Sequence, residues 1–315
     1  MLKKLIQSAT RIHRQGSEKN IAIFSSARSG STWLMELIAT QPGFKYVDEP
    51  LHPDNLRKCK IVPPDSGWEV LLPRPKRNSD LSKYFENIES NRVHIGEPRM
   101  MSKFYRPITN RIVYKLLRCK DLMGWFASNF GWKIIYLIRH PLACSVSRQQ
   151  FPRLKLFLEN EEYVSHFLSS EQEEYARSII NNGTEFQMAV LDWCVQNIPA
   201  IKECDNNGWT TVFYENLICQ PEVEIARLTD ELNLPEPEKM ISQVRVASES
   251  TSQSSAQTQK VFASNQQSSE FLLSKWRKEI SNTDEETGFE ILEVFGYSMY
   301  ERGSDIPRAS KLSKS

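Results

Sequence analysis

Apolar positions fall in short runs between polar turns along the chain, and the runs alternate in kind. Ile21–Phe24 is four apolar residues stopped by "SSARSGS", the pattern of a buried strand. Ser31–Thr40 carries its apolar residues at helical spacing and ends at "QPG", a stop signal for a helix. Phe44–Val47 reads as a second short strand. "RIVYKLL" from Arg111 and "WKIIYLI" before Arg139 are further strands, and Pro141 opens a helix through Gln150 in the position where proline is best tolerated. Helical patterns follow at Glu161–Asn181, Thr184–Asn206 and Glu222–Leu232, with the strand "WTTVFYENL" between the last two. Helices at Glu270–Ile280 and Asp284–Phe295 close the pattern.

Strands alternating with helices predict an α/β protein of three layers, a central parallel sheet with helices on its faces. Ligands gather at the carboxyl ends of such strands. The turns after Phe24, Ile138 and Phe213 would share that edge. Two stretches break the alternation. Pro53 to Arg99 is rich in proline and charge and reads as a long insertion with one helix near Leu81–Ile88, suited to handling a substrate. Ser248–Ser269 is dominated by Ser, Gln and Thr and reads as a mobile loop. The expected organisation is an N-terminal helix over 1–20, one domain over 21–300 and a tail over 301–315. That first helix would place Leu2, Leu5, Ile6, Ala9 and Ile12 on one face, a candidate for peripheral contact with a membrane.

Charge narrows the function. The 315 residues hold 40 Lys plus Arg against 39 acids, which excludes a globally basic nucleic-acid binder and makes any basic site local. Six cysteines, at 59, 119, 144, 194, 204 and 219, form no C-x-x-C pair or Cys/His metal spacing, so no metal is expected and a reducing compartment is. No run approaches the roughly 20 apolar residues of a membrane span.

The turn "ARSGSTW" opens a helix directly after a strand. Helix-start N–H groups are unsatisfied, and the helix dipole adds positive potential there. Gly30 lets the backbone approach an anion, Ser29, Ser31 and Thr32 add donors, and Arg28 adds a fixed fork of charge. The Gly-Lys-Ser/Thr ending of nucleotide-hydrolysing loops is absent.

"SSARSGSTWLMEL" resembles the 5′-phosphosulfate loop of sulfotransferases that use 3′-phosphoadenosine 5′-phosphosulfate (PAPS). "KIIYLIRHPLACSVSRQQ" resembles the same family's strand-turn-helix for the donor's 3′-phosphate, although His140 stands where members often carry Asp or Asn. "FYENLICQPE" and "SKWRKEIS" are weaker echoes, and the usual Arg-Lys-Gly of the donor-covering loop is missing. The resemblance runs from about Ile21 to Tyr300. It implies a P-loop NTPase-like fold, PAPS as co-substrate and adenosine 3′,5′-bisphosphate (PAP) as product. It further implies donor contacts from Arg28, Ser29, Gly30, Ser31, Thr32 and Trp33, 3′-phosphate contacts from Arg139 and Ser147, and Tyr214 near adenine.

Sulfuryl transfer needs an in-line nucleophile, stabilisation of the departing phosphate and a base for the acceptor proton. Arg28 would serve the phosphate and Lys115 the sulfuryl group. The small-molecule branch carries a His soon after the lysine; "VYKLLRC" has none. Glu49 in "YVDEPLHP" resembles the glutamate of carbohydrate and bacterial members and is the expected base, with Asp48 and His52 as alternatives. The expected acceptor is a hydroxyl of a saccharide or glycolipid, and the expected location is the cytoplasm. A kinase-like phosphotransferase and a non-catalytic nucleotide-binding protein are the competing readings.

Overall fold

The computed structural model describes residues 11–67, 71–72, 79–148, 153–248 and 267–308. Five strands form the main sheet: β2 (Ile21–Ser25), β3 (Phe44–Asp48), β5 (Arg111–Leu116), β6 (Lys133–Ile138) and β7 (Thr210–Phe213). Their order is β3-β5-β2-β6-β7 in a parallel sheet flanked by helices, the expected α/β architecture. A separate parallel pair joins β1 (Ile12–His13) to β4 (Ile108–Thr109). The chain divides into two compact units. One comprises Met1–Ser25, Ser31–Tyr136 and Gln220–Ala263; the other comprises Ser26–Gly30, Leu137–Cys219 and Ser264–Ser315.

In the first unit, β5 pairs with β2 on one side (Ile23 opposite Lys115) and with β3 on the other (Asp48 opposite Lys115). Every residue of β2 and β5 is buried, as expected of strands covered on both faces. Burying Arg111 costs little because its guanidinium donates to the carbonyls of Lys19, Leu232 and Asn233. The last two close the helix Pro221–Leu232, where a cation suits the helix dipole. Helices α1 (Ser31–Ile38), α2 (Pro53–Lys58), α3 (Asp80–Glu89), α4 (Met123–Phe130), α11 (Pro221–Leu232) and α12 (Pro237–Val244) complete the unit. An aromatic cluster packs its core: the Phe85 ring lies 5.0 Å from Phe126 and 5.4 Å from Trp132, which stacks on Tyr114 at 4.3 Å.

The second unit is built on α9 (Glu185–Asn207), a 23-residue helix started by a Thr184/Gln187 capping box and stopped at Gly208 in the left-handed region. It packs against α5 (Pro141–Val146) and α14 (Asn282–Val294). Helices α6 (Arg153–Leu158), α7 (Glu161–Phe167), α8 (Ser170–Asn182), α10 (Tyr214–Cys219) and α13 (Gln267–Ser274) surround this frame, and a 3₁₀ turn runs over Lys275–Glu279.

Several expected boundaries move for identifiable reasons. The single helix over Glu161–Asn181 is two, because Ser169 and Gln172 form a capping box that starts α8 afresh. The strand in "WTTVFYENL" stops at Phe213, and Tyr214 turns the chain into α10. The helix expected from Pro141 to Gln150 ends at Val146, where Ser147 caps it. Ile12, expected on the first helix, belongs to β1; the rest of that helical face lies outside the described residues, as does the Ser/Gln-rich stretch from 249 to 266.

Candidate active site

In the second unit, the turn after β2 holds Arg28 at φ 71° and Gly30 at φ 87°. Arg28 is exposed, with its side chain in solvent and its backbone in the left-handed region, where a non-glycine residue costs of order 1–3 kcal/mol. Its carbonyl accepts a hydrogen bond from Arg139 Nη1 at 2.9 Å. The Arg139 guanidinium also lies over the Tyr214 ring, 4.8 Å from its centroid. Tyr214 in turn packs on Gly30 so closely that a Cβ there would meet the ring at 2.6 Å. Ser29 is buried, with its hydroxyl 3.6 Å from the Cys144 thiol. Arg28, Gly30, Arg139 and Tyr214 are thus one connected group. Ser147 stands exposed at the C-terminal cap of α5, and no described hydrogen bond joins it to Arg139.

Two further parts of this group escaped the sequence reading. Burial lowers the Lys275 ammonium below its ordinary range, and the neighbouring Arg139 and Arg28 lower it further. Three cations drawn together in this way favour an anionic ligand. Behind them, Glu215 is buried and accepts from the His140 backbone N–H and the Tyr300 hydroxyl, each at 2.8 Å. That pair of bonds fixes the chain at the residue after Arg139. Burial pushes the Glu215 carboxyl up. His140, packed 4.5 Å from Trp276, is pushed down to about 3 by burial and by Arg277 and Arg139. The departure from Asp or Asn at this position therefore places a neutral ring, not a charge, beside Arg139.

The first unit holds the other expected residues. Ser31 begins α1 and Trp33 is buried in it. Thr32 Oγ1 accepts from Lys115 Nζ at 2.9 Å. Lys115 is the penultimate residue of β5, and its ammonium also lies 2.7 Å from Asp48 Oδ1 and 3.2 Å from Glu49 Oε1. Glu49 follows β3 at φ 47°, also left-handed. Its backbone is held twice over: its N–H donates to the Lys115 carbonyl, and its carbonyl accepts from His52 N–H and Asn55 Nδ2. Glu49 Oε2 accepts from Arg118 Nη1 at 3.0 Å. Burial alone would raise this carboxyl, but Lys115 and Arg118 outweigh it and hold it below its ordinary range.

Asp48 is gripped from the insertion. Its N–H donates to the Gly96 carbonyl at 2.9 Å, and a Cβ on Gly96 would collide with the Asp48 backbone. His52 caps α2, its Nδ1 accepting from the Asp54 N–H at 3.2 Å. The ring proton therefore sits on Nε2, which leaves His52 no lone pair to take a proton there. Arg118 was not foreseen, because a lone arginine after a strand carries no pattern. Among the described residues, no group of three or more His, Cys, Asp or Glu could hold a metal ion, and no helix is long and apolar enough to cross a membrane.

Comparison with known proteins follows the same line. The structure is similar to that of mouse sulfotransferase SULT7A1 complexed with PAP, at 16% identity over 90% of this chain and 87% of that one, with a TM-score of 0.48. It is also similar to the sulfotransferase domain of the Synechococcus PCC 7002 olefin synthase, at 16% identity over 92% and 100%, with a TM-score of 0.43. No curated protein matches in sequence. The family model of the sulfotransferase domain matches residues 18–291. The chain belongs to the sulfotransferase family and is a PAPS-dependent enzyme of sulfuryl transfer.

Proposed function

We propose that the chain moves the sulfuryl group of PAPS to a hydroxyl of a saccharide or glycolipid, with Glu49 as the base. The observation that carries this reading is the ammonium of Lys115, which touches both Thr32 of the phosphosulfate motif and the Glu49 carboxylate. The proposed base and the start of the donor-binding helix are thereby held within one side chain's reach in a single unit.

In the reaction the acceptor oxygen forms a bond to sulfur as the bond from sulfur to the bridging phosphate oxygen breaks. The electron pair leaves with that oxygen on PAP, and the acceptor proton passes to Glu49. Arg28, Ser29, Gly30, Ser31, Thr32 and Trp33 hold the 5′ end of the donor. Arg139 and Ser147 hold its 3′-phosphate, and Tyr214 lies near adenine. Lys115 meets the sulfuryl oxygens. Most of the barrier is lowered by positioning and by fixed positive charge at the departing phosphate. The acceptor class rests on Arg28 at the basic position of the loop and on the Glu49-Pro50 segment, both shared in resemblance with carbohydrate-acting members. None of the six cysteines is in a disulfide, which supports a cytoplasmic, reducing location.

Incubation with radiolabelled PAPS and separate panels of saccharides, lipid extracts, phenols and steroids tests the reading. Label in a saccharide or glycolipid supports it. Label confined to phenols or steroids overturns the acceptor class. PAP binding with no labelled product in any panel would favour a protein that holds the nucleotide without turnover.

A further inference from the structure

An ammonium group has three hydrogens to donate. Lys115 Nζ donates one to Thr32 Oγ1 at 2.9 Å and is ion-paired with Asp48 Oδ1 at 2.7 Å and Glu49 Oε1 at 3.2 Å. A sulfuryl oxygen that approaches Lys115 competes with these contacts for the ammonium, and the Glu49 contact is the longest. Releasing it would strand a largely buried carboxylate, which is costly unless another cation stays with it. Arg118 is that cation. Its Nη1 lies 3.0 Å from the opposite oxygen, Oε2, and its side chain is only 10% exposed.

Local backbone places Arg118 there. β5 ends at Leu116, and Cys119 turns left-handed at φ 54° before the 3₁₀ turn Lys120–Leu122. The guanidinium is thus held at the strand end beside the left-handed Glu49. The other charged or titratable groups around Glu49 do not substitute for it. Asp48 is a like charge. His52 is lowered by burial and by Arg118, and its Nδ1 is committed to capping α2.

We propose that Arg118 is a positioning residue, which keeps the Glu49 carboxylate ionised and aimed by its Oε2 while Lys115 leaves Oε1 for the sulfuryl group of the donor. This rests on the reading of Glu49 as base and Lys115 as sulfuryl contact. Glu49 is never without a cation in this arrangement, and the loss of one partner is what exposes a lone pair on Oε1 to the acceptor proton.

The test is a carbon-13 NMR titration of the full chain labelled at the glutamate side-chain carboxyl, with the Glu49 signal assigned by its loss in Glu49→Gln. The probes are PAPS and PAP, which differ only by the sulfuryl group. In the wild type, PAPS is expected to move the Glu49 midpoint to higher pH than PAP does. In Arg118→Gln the midpoint should rise without any ligand and rise again with PAPS, and Arg118→Lys should restore most of the wild-type behaviour. Circular dichroism establishes that each variant is folded. An unchanged midpoint in folded Arg118→Gln, or equal effects of PAPS and PAP, would overturn the proposal. Failure of the base reading shows elsewhere, as turnover by Glu49→Gln, and does not depend on this titration.

Discussion

A methyl group at Gly30 would occupy the place of the Tyr214 ring: the added carbon would stand 2.6 Å from Cδ2 and 2.8 Å from Cε2. Two constraints therefore meet at one residue, the ring and a φ of 87°. Gly30→Ala should destabilise the folded chain by about 1–3 kcal/mol, the usual cost of a sparsely populated backbone conformation, plus the cost of displacing the ring. Adding Tyr214→Ala should relieve the collision but leave the backbone cost. Urea denaturation of the single and double variants separates the two. Equal destabilisation by Gly30→Ala in both backgrounds would show that the ring is not the constraint.

Arg139 has two protein anchors, the Arg28 carbonyl and the Tyr214 face. A guanidinium held in place loses little freedom when it meets a phosphate. Arg139→Gln should weaken PAP binding by the 1.5–3 kcal/mol typical of a hydrogen bond to a charged group, roughly ten- to a hundredfold. Calorimetry with PAP and with adenosine 5′-monophosphate locates the loss. If Arg139 serves the 3′-phosphate, only PAP binding falls; an equal loss for both nucleotides would assign Arg139 to the 5′ end instead.

What the sequence made legible follows from how local the signal is. β2 and β6 hold apolar runs, Ile21–Phe24 and Ile134–Ile138, and β5 holds Ile112–Tyr114 between Arg111 and Lys115; a buried parallel strand needs little more to be read. Arg28 and Gly30 were legible because a turn between strand and helix confines small and basic residues to a few places. Arg118 and Lys275 were not, since each acts through neighbours distant in sequence: Glu49 is 69 residues from Arg118 along the chain. Glu215 was read only as part of the motif around Tyr214, and its role becomes visible once the His140 N–H and the Tyr300 hydroxyl are seen to converge on it. Helix α12 followed "LPEPE" unforeseen, because proline at a first helical turn looks in sequence like a break.

Glu49→Gln keeps the side chain's shape and removes its charge. If Glu49 takes the acceptor proton, turnover should fall by the ~10²–10⁴-fold typical of a lost general base, with PAP binding nearly unchanged. Asp48→Asn should do far less. Stability gives an independent reading. A carboxyl held below its ordinary 4.5 stabilises the fold above that value, and the contribution is lost as pH falls through the lower folded value. Glu49→Gln should therefore lose stability relative to wild type at pH 7, and the gap should close in acid. A gap that stays constant to pH 3 would mean that the ion pairs with Lys115 and Arg118 contribute nothing net.

His140 supplies a pH dependence of the opposite chemical kind in the same direction. Its ring is buried among Trp276, Phe289 and Tyr300, and the surrounding arginines add to the cost of protonating it. The folded value of about 3 lies below the ordinary 6.5. Between these two values the unfolded chain binds a proton that the folded chain refuses, so stability falls as pH is lowered from 6.5 towards 3. The slope from one such group reaches about 1.4 kcal/mol per pH unit. His140→Phe keeps an aromatic ring in the pocket and leaves the backbone N–H free to donate to Glu215, but it removes the titration. Urea denaturation at pH 7.0, 6.0 and 5.0 (about two units across the upper part of this window) should give a flatter profile for the variant than for the wild type. His13, lowered to about 4 by burial and by Lys45, keeps part of the slope in both proteins. Parallel profiles would show that the His140 ring gains a proton in the folded state, and the strand end at Arg139 would then carry one more positive charge than the buried, neutral ring allows.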